Sequence, residues 1–342
     1  MKSKIKFLVY KLAVITMILF VIVGCSDDDP EPAAKYMLSL RVNPEEKGEV
    51  TGAGEYQEGE QVAIDATPVE GFVFLRWTGD VAHLDDTFSA NTTITMPAQN
   101  TSLTAVFEEG SLVDIDLNVY QAVNIGNQEW MAENLRVTRY NNGDAIPTGL
   151  SDDEWANTTA GAFAVYDHNG WNTDGINSPW EMVEAYGNLY NWYVVNDSRG
   201  VCPEGWRVPS DDDWTQMVDY VVAQGYPNEW EDPNGAGNAL KSCRQEDHPD
   251  GGNCDTSEHP RWGSHDIHSG FDEFGFSGLP GGCRRYDGSY SWIGKYGYWW
   301  TSTEQSSLSA WRQLMFYEYS PVFRFQYHKT YGLSLRCVRD LD

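Results

Sequence analysis

Basic residues are scarce in this chain. It carries 23 Lys and Arg against 51 Asp and Glu, a formal net charge of −28 over 342 residues. Nucleic acid and anionic lipid would both be repelled, so neither is expected as a partner. There is no glycine-rich phosphate loop and no dinucleotide-binding fingerprint. Gly275-Phe-Ser-Gly278 is not a nucleophile elbow, because the glycine after the serine comes one residue early. His259, His265 and His268, with Asp266 among them, do not follow the spacing of a closed tetrahedral zinc site. Polar loop contacts are their expected role. No catalytic residue, metal ligand or cofactor is therefore assigned, and calcium alone stays open.

Aromatic residues are abundant instead. Phe, Trp and Tyr make up 13% of the chain, with 14 Trp and 19 Tyr, more than a core of this size usually consumes. The length leaves room for two domains beyond an export signal.

That signal opens the chain. Lys2, Lys4, Lys6 and Lys11 precede an apolar run from Leu12 to Val23, too short for a spanning helix. It ends in Ile22-Val23-Gly24-Cys25, which resembles the lipobox of bacterial lipoproteins. The resemblance implies a leader over 1–24 and a diacylated Cys25 as the mature N-terminus. Ser26-Asp27-Asp28-Asp29 is similar to the acidic signal that sends lipoproteins of Bacteroidetes-type bacteria to the outer face of the outer membrane. Residues 25–35, with Pro30 and Pro32, read as a solvated tether.

A first module is expected over 36–109. Leu38, Leu40 and Val42 alternate with Ser39 and Arg41, the pattern of a half-buried strand. Gly48, Gly52 and Gly54 punctuate a hairpin, and strands follow over 62–64, 72–77, 93–96 and 103–107. The absence of a helical period makes this a small β-rich unit. The ordered motifs Glu58-Gly-Glu-Gln-Val62, Ala66-Thr-Pro68, Gly71 to Asp80, Thr95-Met-Pro97 and Ala105-Val-Phe107 resemble the divergent B-repeat of internalin-type surface proteins. In that family such modules serve as spacers or adhesive repeats.

The second module, 112–342, is organised around the stretch from Cys202 to Gly225. Ser210 is placed to cap a helix with Asp213 three residues on, and Asp211, Asp212 and Asp213 suit the positive end of the helix dipole. Trp214, Met217, Val218, Val221 and Val222 form its apolar stripe, and Gly225 ends it. Upstream, Val123 to Val137 reads as a strand, a turn and a second strand. Downstream, Ala310 to Tyr319 and Phe323 to His328 read as alternating strands about Ser320-Pro321. On the second of these, Phe323, Phe325 and Tyr327 share the face expected to be core, and Arg324, Gln326 and His328 the face expected to meet a ligand.

Ala185 to Trp192, Ala239 to Cys243, Phe274 to Gly282, Tyr296 to Thr303 and Tyr331 to Asp340 complete a motif series that resembles the Fibrobacter succinogenes major paralogous domain. That family looks related to the C-type lectin-like fold. The expected architecture is thus α+β, a small β-rich repeat domain followed by a lectin-like α+β domain stapled by disulfides. The resemblance favours the pairings Cys202–Cys337 and Cys243–Cys254, and it leaves Cys283 free where an aromatic residue is expected. Trp230-Glu-Asp-Pro-Asn234 only faintly resembles the sugar-selecting loop of calcium-dependent lectins and reads better as a turn.

A lectin-like head carries its variable loops in the last quarter of the chain. The candidate ligand-binding residues there are Arg285, Tyr286, Tyr290, Trp292, Trp311, Arg312, Arg324 and Tyr327, with about half of the aromatics expected to be buried. The expected function is that of a non-catalytic, lipid-anchored surface protein whose head meets an extracellular glycan, polymer or protein. A structural or pilus-associated envelope protein is the alternative. An enzyme related to formylglycine-generating enzymes would need a reactive, accessible Cys283 with a metal close by.

Overall fold

The structure, a computed structural model, describes residues 33–110, 112–170 and 172–341. Cys25, the leader 1–24 and the tether as far as residue 32 lie outside the described residues.

The N-terminal strands are β1 (Lys35–Asn43), β2 (Gly48–Thr51), β3 (Gly54–Gln57), β4 (Gln61–Pro68), β5 (Phe72–Gly79), β6 (Asn91–Thr95) and β7 (Thr101–Glu109). They form two sheets, ordered β3-β1-β7-β5 and β2-β4-β6. β1 and β7 run parallel, Leu38 opposite Thr101. Leu38, Val62, Ile64, Trp77, Ile94, Leu103 and Phe107, drawn from both sheets, share one core. The expected hairpin about Gly52 does not form. β2 pairs with β4 and β3 with β1, so the chain crosses from one sheet to the other there. Gly52 permits the crossing with φ +103, where a Cβ would stand 2.6 Å from the Ala63 carbonyl oxygen.

The rest of the chain mixes strands and short helices. In order these are β8 (Leu112–Val113), β9 (Val119–Tyr120), β10 (Ala122–Ile125), β11 (Gln128–Met131), α1 (Asp152–Asn157), β12 (Phe163–Ala164), α2 (Pro179–Tyr186), β13 (Leu189–Tyr190), α3 (Trp192–Val195), α4 (Asp211–Ala223) and α5 (Ala236–Leu240). From residue 281 on, every element is a strand: β14 (Gly281–Arg284), β15 (Tyr290–Ile293), β16 (Tyr296–Glu304), β17 (Ser309–Phe316), β18 (Phe323–His328) and β19 (Val338–Asp340). Five helices among the described residues, set against these strands, make the architecture a β-rich α+β fold.

Helix α4 starts as its sequence dictates. Ser210 Oγ accepts from the Asp213 amide at 3.1 Å, and Asp213 Oδ2 accepts from the Ser210 amide at 2.7 Å. Asp213 also pairs with Arg207 at 2.7 Å, fixing the approach to the helix. Trp214, Met217 and Val221 pack on Trp130, Phe276 and Trp299. Val222 departs from the expected stripe. It is 40% exposed, because the stripe is narrower than the sequence suggested and Val222 lies beyond its edge.

Two disulfides form in the expected pairings. Cys202–Cys337 ties the approach to α4 to the residue before β19, and Cys243–Cys254 closes a short loop. Deeper in, Arg336 is fully buried and donates to Asn134 Oδ1 at 3.0 Å and the Ser277 carbonyl at 2.8 Å. Trp299 Nε1 donates to the same Asn134 oxygen at 2.9 Å, so one side chain links three distant segments. Burial brings the Arg336 guanidinium down to about 9.

Candidate functional site

The sheet β16-β17-β18 has two different faces. Cross-strand partners share a face in an antiparallel sheet. One face carries the row Tyr296–Phe316, then Tyr298–Leu314–Phe323, then Trp300–Arg312–Phe325, then Ala310–Tyr327. On β16 the face is covered at Trp300, which is buried and whose indole Nε1 donates to the Tyr190 carbonyl at 2.9 Å. The Tyr296–Phe316 row and the β18 side stay partly open. Tyr296, Phe316, Tyr327 and Tyr331 are half-buried, and Phe325 is 46% exposed. The face expected to be core is therefore core only at Phe323. β18 is an edge strand of the sheet, and Phe325 on it stays open to solvent.

These rings touch one another in a continuous series. Tyr286 meets Tyr331 at 5.7 Å, Tyr331 meets Tyr327 at 4.3 Å and Tyr327 meets Tyr298 at 5.8 Å. Tyr298 stacks on Tyr296 at 5.7 Å, and Tyr296 meets Phe316 at 4.6 Å. Phe316 then leads through Phe323 at 5.0 Å to Trp230 at 4.9 Å. Trp292 joins the series at Tyr296, 5.5 Å away, and also lines a neighbouring cleft of about 400 Å3 with Tyr166, Tyr290, Asp167 and Lys295.

The hairpin β14-β15 sets Trp292 in this position. Gly282 lies opposite Trp292, and both have left-handed backbones, φ +63 and φ +70. A Cβ on Gly282 would stand 2.5 Å from the Ser291 carbonyl oxygen and 2.6 Å from the Ile293 nitrogen. Only glycine fits there, and a tryptophan at positive φ is the kind of strain found at functional sites.

Two cations sit against the rings. Arg312 is 3% exposed and its guanidinium carbon lies 3.8 Å from the Tyr327 ring centre and 4.7 Å from that of Tyr298. Arg285 lies over Tyr286 and Trp292 at 5.8 and 5.9 Å. Burial lowers the Arg312 guanidinium from its ordinary value. Cys283, one residue pair away from Trp292 in the hairpin, is a free, buried thiol that burial pushes up to about 12.

The sequence candidates divide accordingly. Arg285, Tyr286, Trp292, Arg312 and Tyr327 converge on the aromatic face. Tyr290 lies in the adjoining cleft, against Tyr166 at 5.2 Å. Trp311 and Arg324 are on the other side of the sheet. There the Arg324 guanidinium carbon stands 3.4 Å from the Trp311 ring centre, and Arg324 pairs with Asp211 of α4. Tyr296, Tyr298, Phe316, Phe325 and Tyr331 were missed. The alternation of 296 and 298 was a signal for two of them, but only the register with β17 puts Tyr298 and Phe325 beside Arg312.

The other constellations stay local. His265 and His268 stack at 5.1 Å, and His265 Nδ1 accepts from the amides of Ile267 and His268. In the 230–234 loop, Asp232 Oδ1 accepts from the Asn234 amide at 2.8 Å, a turn contact. Among the described residues, no three His, Cys, Asp or Glu side chains gather as a metal site.

Fold and site together define a disulfide-stapled α+β head with an aromatic face, preceded by a β-rich unit. Residues 123–339 match the family model described as the Fibrobacter succinogenes major domain, and residues 38–111 match the divergent InlB B-repeat domain. The chain belongs to the Fibrobacter succinogenes major domain family. The two domains in this order are those of a surface-associated protein. No curated protein and no solved structure matches the chain.

Proposed function

We propose that the head is a non-catalytic, C-type lectin-like binding domain that captures an extracellular polymer, a glycan foremost, on the aromatic face. One observation carries this reading: five residues picked out as candidates and five further aromatic residues meet on a single, partly open surface. Sugar rings present apolar C–H faces that stack on Tyr and Trp, and a series of rings suits an extended chain better than a single sugar. In the same reading Cys25 carries a lipid that holds the protein on the outer face of the outer membrane, the tether and the B-repeat acting as a short stalk. The buried Cys283, with its thiol at about 12, speaks against a reactive nucleophile and supports binding without chemistry.

The full-length protein in mild detergent is tested for retention on a panel of insoluble and immobilised polysaccharides, with calcium and with chelator. Retention is expected on at least one polymer, falling at least tenfold in Tyr327→Ala and Trp292→Ala and unchanged in Trp311→Ala on the opposite face. Retention on none of them sinks the glycan reading. The alternative, a structural envelope subunit, draws on the outer strand β18 and the exposed Trp230 and Phe325, which would then meet protein.

A further inference from the structure

The cations under the rings narrow the ligand class. We propose that the aromatic face takes an anionic polysaccharide whose acidic groups Arg312 and Arg285 seat at contact, where salt screens the long-range repulsion that the chain's charge of −28 exerts on polyanions. This rests on the polymer-binding reading above and names its ligand.

Arg312 differs from the other buried arginines. Arg284 donates to the carbonyls of Gly288 at 2.9 Å and Leu150 at 2.8 Å and pairs with Asp152 at 3.2 Å. Arg336 is surrounded by carbonyl and amide oxygens. By contrast, Nε and Nη1 of Arg312 are buried with no acceptor in hydrogen-bonding range. The groups that act on its charge are Tyr327, Tyr298 and Cys283, none of them a carboxylate. A buried guanidinium without a counterion is costly, and ring faces offset only part of that cost. In a chain with 51 acidic residues, the structure still brings no carboxylate to this arginine among the described residues.

Arg285 at the rim is less isolated: its Nε is also buried without an acceptor, while its Nη2 pairs with Asp287 at 3.8 Å. Arg285 lies over Trp292 and Arg312 over Tyr298, and those two rings stand 6.1 Å apart, so both guanidinium groups flank one stretch of the aromatic face. Their three unpartnered N–H groups are the donor set that a carboxylate or sulfate group on a sugar would complete. The half-buried Tyr327 ring covers Arg312 from the outer strand, and it can turn aside by side-chain rotation without any change in the backbone.

The test measures retention of the full-length protein on polygalacturonate, its methyl ester, dextran sulfate, dextran and polyglutamate. Polygalacturonate is expected to be retained at least tenfold more strongly than its uncharged methyl ester. Arg285→Gln should cut that preference at least fivefold with an unchanged melting curve, and Arg312→Gln should abolish it. Should Arg312→Gln fail to fold, the ester comparison and Arg285→Gln decide alone. Retention of dextran sulfate alongside polygalacturonate supports an anion seat that does not choose between carboxylate and sulfate. Equal retention of acid and ester overturns the anion seat and leaves the polymer-binding reading intact. Retention of none overturns both. Polyglutamate held as tightly as polygalacturonate overturns the polysaccharide class in favour of acidic peptide.

Discussion

Arg324 reaches from the outer strand β18 to the first turn of α4, where its Nε stands 2.7 and 2.8 Å from the two carboxylate oxygens of Asp211. Asp211 is buried and also accepts from Gln313 Nε2 at 3.2 Å, so the pair fastens the helix start to the sheet. Arg324 is exposed, and solvent screens its side of the pair, so Arg324→Ala should cost only about 1 kcal/mol or less. Asp211→Ala should cost more, about 1–3 kcal/mol, because it strips a buried acceptor and a charge at the helix N-terminus. Denaturant melts give both values. Neither change should alter polymer retention, since the pair lies on the face away from the rings.

The two disulfides should differ in weight. Cys202–Cys337 spans 135 residues and Cys243–Cys254 only 11. Loop-closure entropy assigns them about 5 and about 3 kcal/mol. Removing Cys202 and Cys337 together should therefore lower the unfolding midpoint further than removing Cys243 and Cys254. The reverse order would show that the long crosslink does not act on the unfolded chain.

Gly282→Ala puts a methyl group into the Ser291 and Ile293 backbone at a left-handed position. A loss of about 1–3 kcal/mol is expected from the forced backbone shift. Trp292 should move with it, which a blue- or red-shifted emission difference against a Trp292→Phe background would reveal. A variant as stable as the parent would mean that the hairpin tolerates another conformation.

Cys283 should be silent to alkylation in the native protein at pH 8 and react once per chain after denaturation in the absence of reductant. Its thiol is held protonated in the folded state up to about 12, above the 9.0 of an ordinary cysteine. Its contribution to stability is full below about pH 9 and is lost as pH rises towards 12. Rapid native labelling would reopen the enzymatic reading.

His259 sets an acid-side dependence. Burial, with Arg261 beside it, lowers the ring to about 4 from the ordinary 6.5, and its Nδ1 lies 2.6 Å from the Tyr186 hydroxyl. The unfolded chain takes up the proton first, so stability should fall as pH drops from about 6.5 to about 4. His259→Gln should flatten that part of the profile in pH-dependent melts.

How far the residues speak for themselves varies along the chain. Helix α4 was legible because its signals are local: a cap, a third-position acid and an apolar period within a dozen residues. The strands of the first unit were legible for the same reason, through alternation. Its hairpin was not, because pairing partners depend on which sheet each strand joins, and Gly52 permits a turn and a crossing equally. The aromatic face was half legible. The candidates Tyr327 and Arg312 lie on it, yet Trp311, one residue before Arg312, and Arg324, three before Tyr327, do not. In a strand a single position decides the face, and which face stays open depends on what packs from elsewhere.

The sequence by itself settled the acidic charge, the surplus of rings, the two-module order and the family, since these follow from composition and ordered motifs. The tertiary structure alone decided that Arg312 lies buried beneath Tyr327 without a carboxylate, that Cys283 is sealed, and that Trp292 joins cleft and ring series. Those facts depend on burial and cross-strand register, which arise only when segments far apart in the chain are brought together.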